Sequence, residues 1–316
     1  MMKRIVILFG LLAFAACNKT PQDDPEENVV SYETMFRQED YTKGKLAEAN
    51  YHLYTFIKQE LEIEGRLCSG NLADLSAQAS SIKSLWTLAY KVVRDCAIGL
   101  YYIPICSPPN SDYYICQFSA IRGVIAFQMA SLWGNVPFFT EPLDDYSQAV
   151  NVDIYNYSRL YTLAISDLSK AIKINGTIPE GYLNKAAILT FHSTVELSRN
   201  NKEAAKEILG KAKQLFENGE TDCSLLNTDP ISTVVIPAPI QVITKTTVQL
   251  LLDEASINPE QLNEEWVESG LLFGHWQMLT RTKQARKITG CSDYQLLLPI
   301  PADVVKNSNI PQNTGY

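Results

Sequence analysis

The run Arg122–Leu143, RGVIAFQMASLWGNVPFFTEPL, specifies a helix, its end and the path of the chain beyond it. Ile121, Val124, Ile125, Met129 and Leu132, with Trp133 at the end, recur at the spacing of a buried helical face. Gly134 then supplies a residue able to turn left-handed just past a helix end. Pro137 forbids the helix from resuming, and Pro142 keeps the exit extended. A fold that accommodates this run must bury one side of a long helix and lead the chain sharply away from its tip.

The rest of the body is read the same way. Helices are predicted over Asp40–Leu61, Ala73–Tyr102, Ser111–Trp133, Ile154–Ile174, Gly181–Ser198 and Lys202–Asn218, with Pro104, Pro108 and Pro109 breaking the chain before the third. Ser111-Asp112 and Asp153 are the expected caps of the third and fourth, and Leu143–Asn151 is a connection. The last two helices form a hairpin around Arg199-Asn200-Asn201. Ala186, Ala187, Ala204, Ala205 and Ala212 would let them approach closely, as in a tetratricopeptide hairpin. Hairpins in series stack into a superhelix with a concave face.

From Leu225 to Val248 the pattern turns extended or irregular. Helices return at Val248–Ala255 and Pro259–Arg286, the second interrupted near Gly270–Gly274. Frequent prolines argue against a helix in Tyr294–Tyr316, whose apolar content predicts packing onto the body. The expected class is all-α: tetratricopeptide-like hairpins in a superhelix, core about 40–220, with irregular loops in a C-terminal part 221–316.

The N-terminus is a processing segment by its pattern. Met1–Arg4 is short and basic, and Ile5–Ala16 is an apolar run too short for a bilayer, which needs roughly 20 residues. Phe14-Ala15-Ala16-Cys17 resembles a bacterial lipobox, so residues 1–16 are read as a signal peptide and Cys17 as the lipidated first residue. The stretch to Val30 is polar and acidic, a flexible tether from 17 to 30, leaving 31–316 as the folded domain. Losing Lys3 and Arg4 takes the formal charge from −8 to −10. An acidic body argues against nucleic acid. Attachment to a membrane is expected through lipid alone.

Signals for catalysis are weak. The histidines are His52, His192 and His275, and none lies in an H-E-x-x-H pattern. His192 and Glu196 share a helix face without a third ligand. Neither a G-x-S-x-G elbow nor a phosphate or dinucleotide loop occurs, and nothing selects a glycosidase pair from the carboxylates. No catalytic residue, cofactor or metal site is expected. Besides Cys17 there are Cys68, Cys96, Cys106, Cys116, Cys223 and Cys291. Cys96 and Cys116 each lie ten residues from Cys106 and would face each other if Cys106 marked the tip of a hairpin. They could then bridge in an oxidising compartment; the alternative is buried thiols acting as small hydrophobes.

Motifs along most of the chain resemble the SusD/RagB family of outer-membrane nutrient-binding lipoproteins. They are Trp86 with Tyr90, the Trp133–Pro137 stop, the helix bearing Tyr161, Ile165, Asp167, Leu168 and Ala171, the run Gly274–Thr282, and the ending LLLPIPADVVKNSN…QNTGY. The chain departs from the pattern in two ways. Family members are usually much longer, and the missing length lies between the tetratricopeptide core and the LPIP tail. In Gly274–Thr282, His275 and Met278 replace the usual Arg and Asp, and Gly274 sits one place nearer to Trp276.

The resemblance implies a non-enzymatic surface lipoprotein on the outer membrane, facing the exterior. It would capture oligosaccharides and pass them to a SusC-like TonB-dependent transporter. A peptide ligand, or a structural or assembly role on the same scaffold, are the alternatives. Sugar capture uses aromatic faces flanked by amides and carboxylates, and the chain has 16 Tyr. Tyr101-Tyr102, Tyr113-Tyr114, and Tyr146 with Tyr155 and Tyr157 are candidates by their place near loops; Trp133 reads as scaffold. Asn71 and Asp74 fall where several family members place ligand contacts.

Overall fold

The computed structural model describes residues 31–143, 152–176, 178–226, 239–254, 256–271 and 273–316. Cys17, residues 18–30, residues 144–151 with Tyr146, and residues 227–238 lie outside the described residues. A short turn of helix, α1 (Tyr32–Met35), leads into α2 (Glu39–Cys68), α3 (Ser80–Cys106) and α4 (Ser111–Trp133). β1 (Val136–Pro137) pairs antiparallel with β2 (Ile154–Tyr155), and α5 (Tyr157–Ala171) follows. α6 (Lys185–Ser198) and α7 (Lys202–Glu217) form the expected hairpin. β3 (Cys223–Leu225) and β4 (Ile240–Ile243) make a second two-stranded sheet. Beyond it come α8 (Lys245–Glu254), α9 (Pro259–Ser269), α10 (His275–Arg281), α11 (Ala285–Thr289), a 3-10 turn (Asp293–Leu296) and α12 (Ala302–Asn307).

The fold is helical, as expected, and α4 is its axis. It packs against α2, α3, α5 and α6. Its sequence suggests one apolar stripe, yet it is buried nearly all round, from Cys116 through to Ala130, except for Arg122. Length and apolarity would let α4 span a bilayer; its burial inside the protein makes it a core helix instead.

The separated motifs converge on the end of α4. Trp86 of α3 meets Trp133 edge-on at 5.2 Å, and the Tyr90 hydroxyl donates to Pro137 O at 2.7 Å. Asp167 of α5 accepts two bonds from Arg122, at 2.7 and 2.9 Å. Gly123 is the reason α5 can lie so close, because a Cβ there would stand 2.8 Å from Leu168 Cγ. The tail supplies the last partners. Leu298 N–H donates to Leu132 O at 2.6 Å, and the Asn313 amide donates to Trp133 O at 3.1 Å and to Leu298 O at 2.7 Å. Carbonyls at a helix C-terminus have no partner within the helix, and here the tail provides it.

Several local expectations are corrected. α3 begins at Ser80, not Ala73, because Ala77 O is taken by Ala302 N–H and the stretch before it is held by the tail. Pro104 stays inside the last turn of α3, where its missing N–H costs a single bond. Asn110, left-handed at φ 58°, is the N-cap residue of α4, and the Ser111 hydroxyl turns back to Pro108 O. Ile154-Tyr155 is drawn into a strand, so α5 starts later and is capped by Asn156, not Asp153. α6 likewise starts at Lys185 with Asn184 as its cap. The tail does contain a short helix, α12, which fits between Pro301 and Ile310.

Cys68, Cys96, Cys106, Cys116, Cys223 and Cys291 are free thiols. The α3–α4 loop centres on Pro108-Pro109 rather than on Cys106, which sets Gly99 against Phe118 and Cys96 beside Arg122. Cys96 is therefore out of register with Cys116, whose thiol reaches Lys170 O instead.

Candidate functional site

Tyr102 and Tyr114 are each 4% exposed. The N-terminal turn covers Tyr102: Phe36 stacks on it at 5.6 Å and Tyr32 lies 5.1 Å away. Tyr114 points its hydroxyl at Glu39. Tyr101 and Tyr113 are half-buried, edge-on to Tyr102 and Tyr114 respectively. Tyr102 and Tyr114 belong to packing, while Tyr101 and Tyr113 keep part of their surface exposed. Asn71 and Asp74 are exposed. Their loop docks on the end of α11, where Gly70, at φ 72°, lies so close that a Cβ would meet Thr289 O at 2.7 Å.

Among the described residues three aromatic side chains are exposed: Tyr157 at 57%, Tyr294 at 40% and Tyr316 at 38%. Each is linked to the α4 stop by a short series of contacts. The Tyr157 N–H donates to Asn135 Oδ1 at 3.3 Å. Gly134, next to Asn135, packs against Leu297, and Leu297 O accepts from the Tyr316 hydroxyl at 2.9 Å. Tyr316 meets Tyr294 edge-on at 5.0 Å, a fit that needs Gly315 at φ 100°, with Tyr294 too close for any Cβ.

Further groups complete the rim. Arg159 lies over the Tyr155 ring at 3.4 Å, and Phe138 supports that ring from below at 5.7 Å. Asn135, Asn156 and Arg159 are exposed beside these rings. The surface thus combines rigid aromatic faces with amide and guanidinium donors, the chemistry that stacks on and hydrogen-bonds a carbohydrate. The burial of the Tyr316 hydroxyl region, and then the Tyr294 neighbour, push its pKa up to about 12, so it stays a neutral donor. Tyr157 stands in the sequence among the candidates; Tyr294 and Tyr316 do not, although each lies near proline- and glycine-rich loops.

One group of metal-ligating side chains converges among the described residues. Glu48 and His52 of α2 and Asp95 of α3 bring their ligand atoms within 4.8 Å of one another. Each carboxylate already has a cation: Lys45 lies 2.6 Å from Glu48, and Arg94 lies 3.1 Å from Asp95. His52 Nδ1 sits 2.5 Å from Asp95 Oδ2. This is a neutralised ion-pair network. In the sequence-matched run, His275 stacks on Trp266 at 5.9 Å and bonds Asn263, and burial lowers its pKa to about 4. It is a neutral packing group where the family pattern has a cation.

No family model matches the chain, and no curated protein does. Solved structures match well. A laminarin-binding SusD-like protein aligns over 89% of this chain and 100% of its own, with a TM-score of 0.73 at 14% identity. A SusD superfamily protein of Bacteroides vulgatus aligns over 90% and 100%, with a TM-score of 0.72 at 12% identity. A surface glycan-binding protein A of Bacteroides fluxus aligns over 88% and 99%, with a TM-score of 0.64 at 12% identity. At such identities the likeness speaks for the fold: this chain has the SusD-like architecture that its motifs resemble.

Proposed function

We propose that this SusD-fold protein binds oligosaccharides at the cell surface, using the rim of the α4 stop. The observation that carries this reading is that Tyr157, Tyr294 and Tyr316, the exposed aromatics among the described residues, are each linked by contacts to the α4 stop. The fold supports it, since matched structures are described as laminarin-binding and surface glycan-binding. Asn71 and Asp74 extend the polar part of the same reading, on the loop tied to the tail through Ala77 and Ala302. The protein does this as a lipoprotein anchored at Cys17 in the outer membrane, facing outward. It passes its ligand to a SusC-like TonB-dependent transporter.

Two experiments test the proposal. Full-length protein in detergent, screened on a glycan array and against a peptide pool, is expected to retain glycans; retention of peptides alone would transfer the scaffold to peptide capture. Tagged protein recovered from membranes is expected to bring a large β-barrel with it. Recovery without such a partner would remove the delivery role while leaving glycan capture intact.

A further inference from the structure

The entry to α5 carries two charged side chains that stand close without bonding each other. Arg159 Nη1 lies 3.9 Å from Asp153 Oδ2, and the two side chains are 52% and 79% exposed. Attraction persists at that distance, but a hydrogen bond does not. Among the described residues, no acceptor takes the Arg159 guanidinium protons and no donor reaches the Asp153 carboxylate. An exposed pair of this kind adds little to stability.

The backbone beneath the pair is nonetheless fixed. Phe138 N–H donates to Asp153 O at 3.1 Å, beside the β1–β2 pairing of Pro137 with Ile154. Arg159 N–H donates to Asn156 Oδ1 at 2.8 Å. The guanidinium rests over the Tyr155 ring at 3.4 Å, and Phe138 backs that ring. Two open charged groups are thus held on a firm base next to the exposed Tyr157.

Their chemistry selects what fits between them. A guanidinium only donates and an ionised carboxylate only accepts. A hydroxyl does both, so a sugar diol can accept from Arg159 and donate to Asp153 in one pose. A sugar carboxylate would satisfy Arg159 and be repelled by Asp153; an amino sugar would meet the reverse. The charges at the other exposed ring are balanced too, since Asp293, next to Tyr294, pairs with Arg286 at 2.9 Å. The whole chain carries a formal charge of −8, which further disfavours a polyanionic ligand.

We propose that Asp153 and Arg159 read the hydroxyls of the ligand and restrict the site to uncharged oligosaccharides, with Asp153 turning away uronates. This rests on the glycan reading above and names the class of glycan.

The test uses the full-length protein and matched probes: glucan, galactan and mannan oligosaccharides, each beside the same backbone with its C6 groups oxidised to carboxylates. The parent is expected to bind the neutral member of a pair at least about fivefold more tightly at low salt, the effect of one like charge about 4 Å away in water. That preference should shrink between about 10 mM and about 1 M salt. Asp153→Asn should bring the ratio close to one, chiefly by tighter binding of the oxidised member. Arg159→Gln should weaken the neutral member and widen the ratio. Melting temperatures should stay unchanged, because both positions are exposed. Equal or tighter binding of the oxidised member by the parent overturns the proposal. So does a ratio that Asp153→Asn leaves as it was, or a large fall in melting temperature in either variant, which would make the pair structural. If the parent binds no member of any pair, the glycan reading itself fails and the proposal falls with it.

Discussion

Where α4 meets α5, Gly123 admits Leu168 into direct contact, and the one charged pair, Arg122 with Asp167, closes on itself at the edge. Where α2 and α4 meet the C-terminal helices, the contact is a polar layer of Glu60, Glu64, Gln128, Gln277 and the Glu254–Arg281 pair. Beside that layer lies a cavity of about 20 Å³, edged by Gln128, Gln277 and Arg281 on one side and Phe191, Phe273 and Trp266 on the other. The first seam is held by shape and the second by pairing. Shape tolerates no added volume; pairing tolerates no missing partner.

The largest effect is expected at the polar seam. Arg281→Met leaves Glu254 buried without its cation and should cost about 3–5 kcal/mol in urea unfolding. Adding Glu254→Met to that variant should restore most of the loss, because an apolar pair of similar size is often neutral. If the double variant is as unstable as the single one, the seam is held by something other than this pair. Next comes the shape seam: Gly123→Val drives a side chain into Leu168 and should cost about 1–3 kcal/mol or somewhat more, read from the same transition. A neutral outcome would mean that α5 can move away freely.

What the sequence disclosed follows the same division. α4 could be read to its last residue because its apolar spacing, Gly134 and Pro137 are local signals. The start of α3 could not, since Leu72–Ala79 has ordinary helix formers and is held out of helix by a tail more than two hundred residues away. The strand at Ile154-Tyr155 likewise exists only because Val136-Pro137 lies opposite. At the site, composition shows that tyrosine is abundant; which rings stay exposed depends on what covers them. Tyr32 and Phe36 cover Tyr102, whereas Tyr157, met edge-on by Tyr161 alone among the described rings, stays exposed. Buried polar residues such as Glu60 and Gln277 give no periodic signal of their own, so the polar seam was not legible at all.

A smaller effect is expected where the tail closes the α4 stop. Asn313→Ala removes the donor for Trp133 O and Leu298 O and should cost about 1–3 kcal/mol, with faster amide exchange at Leu298 as its local sign. Smallest of all for stability are Tyr157→Ala and Tyr294→Ala, within about 0.5 kcal/mol of the parent for such exposed positions. Their effect belongs to binding.

The most direct measurement is a titration of the full-length protein with the oligosaccharide best retained on a glycan array, run beside the variant carrying Tyr157→Ala and Tyr294→Ala. The rim reading predicts at least about a tenfold loss of affinity, or roughly 1.4 kcal/mol, with the melting temperature little changed. Equal affinity in the two proteins would contradict it and move the ligand off the α4 rim.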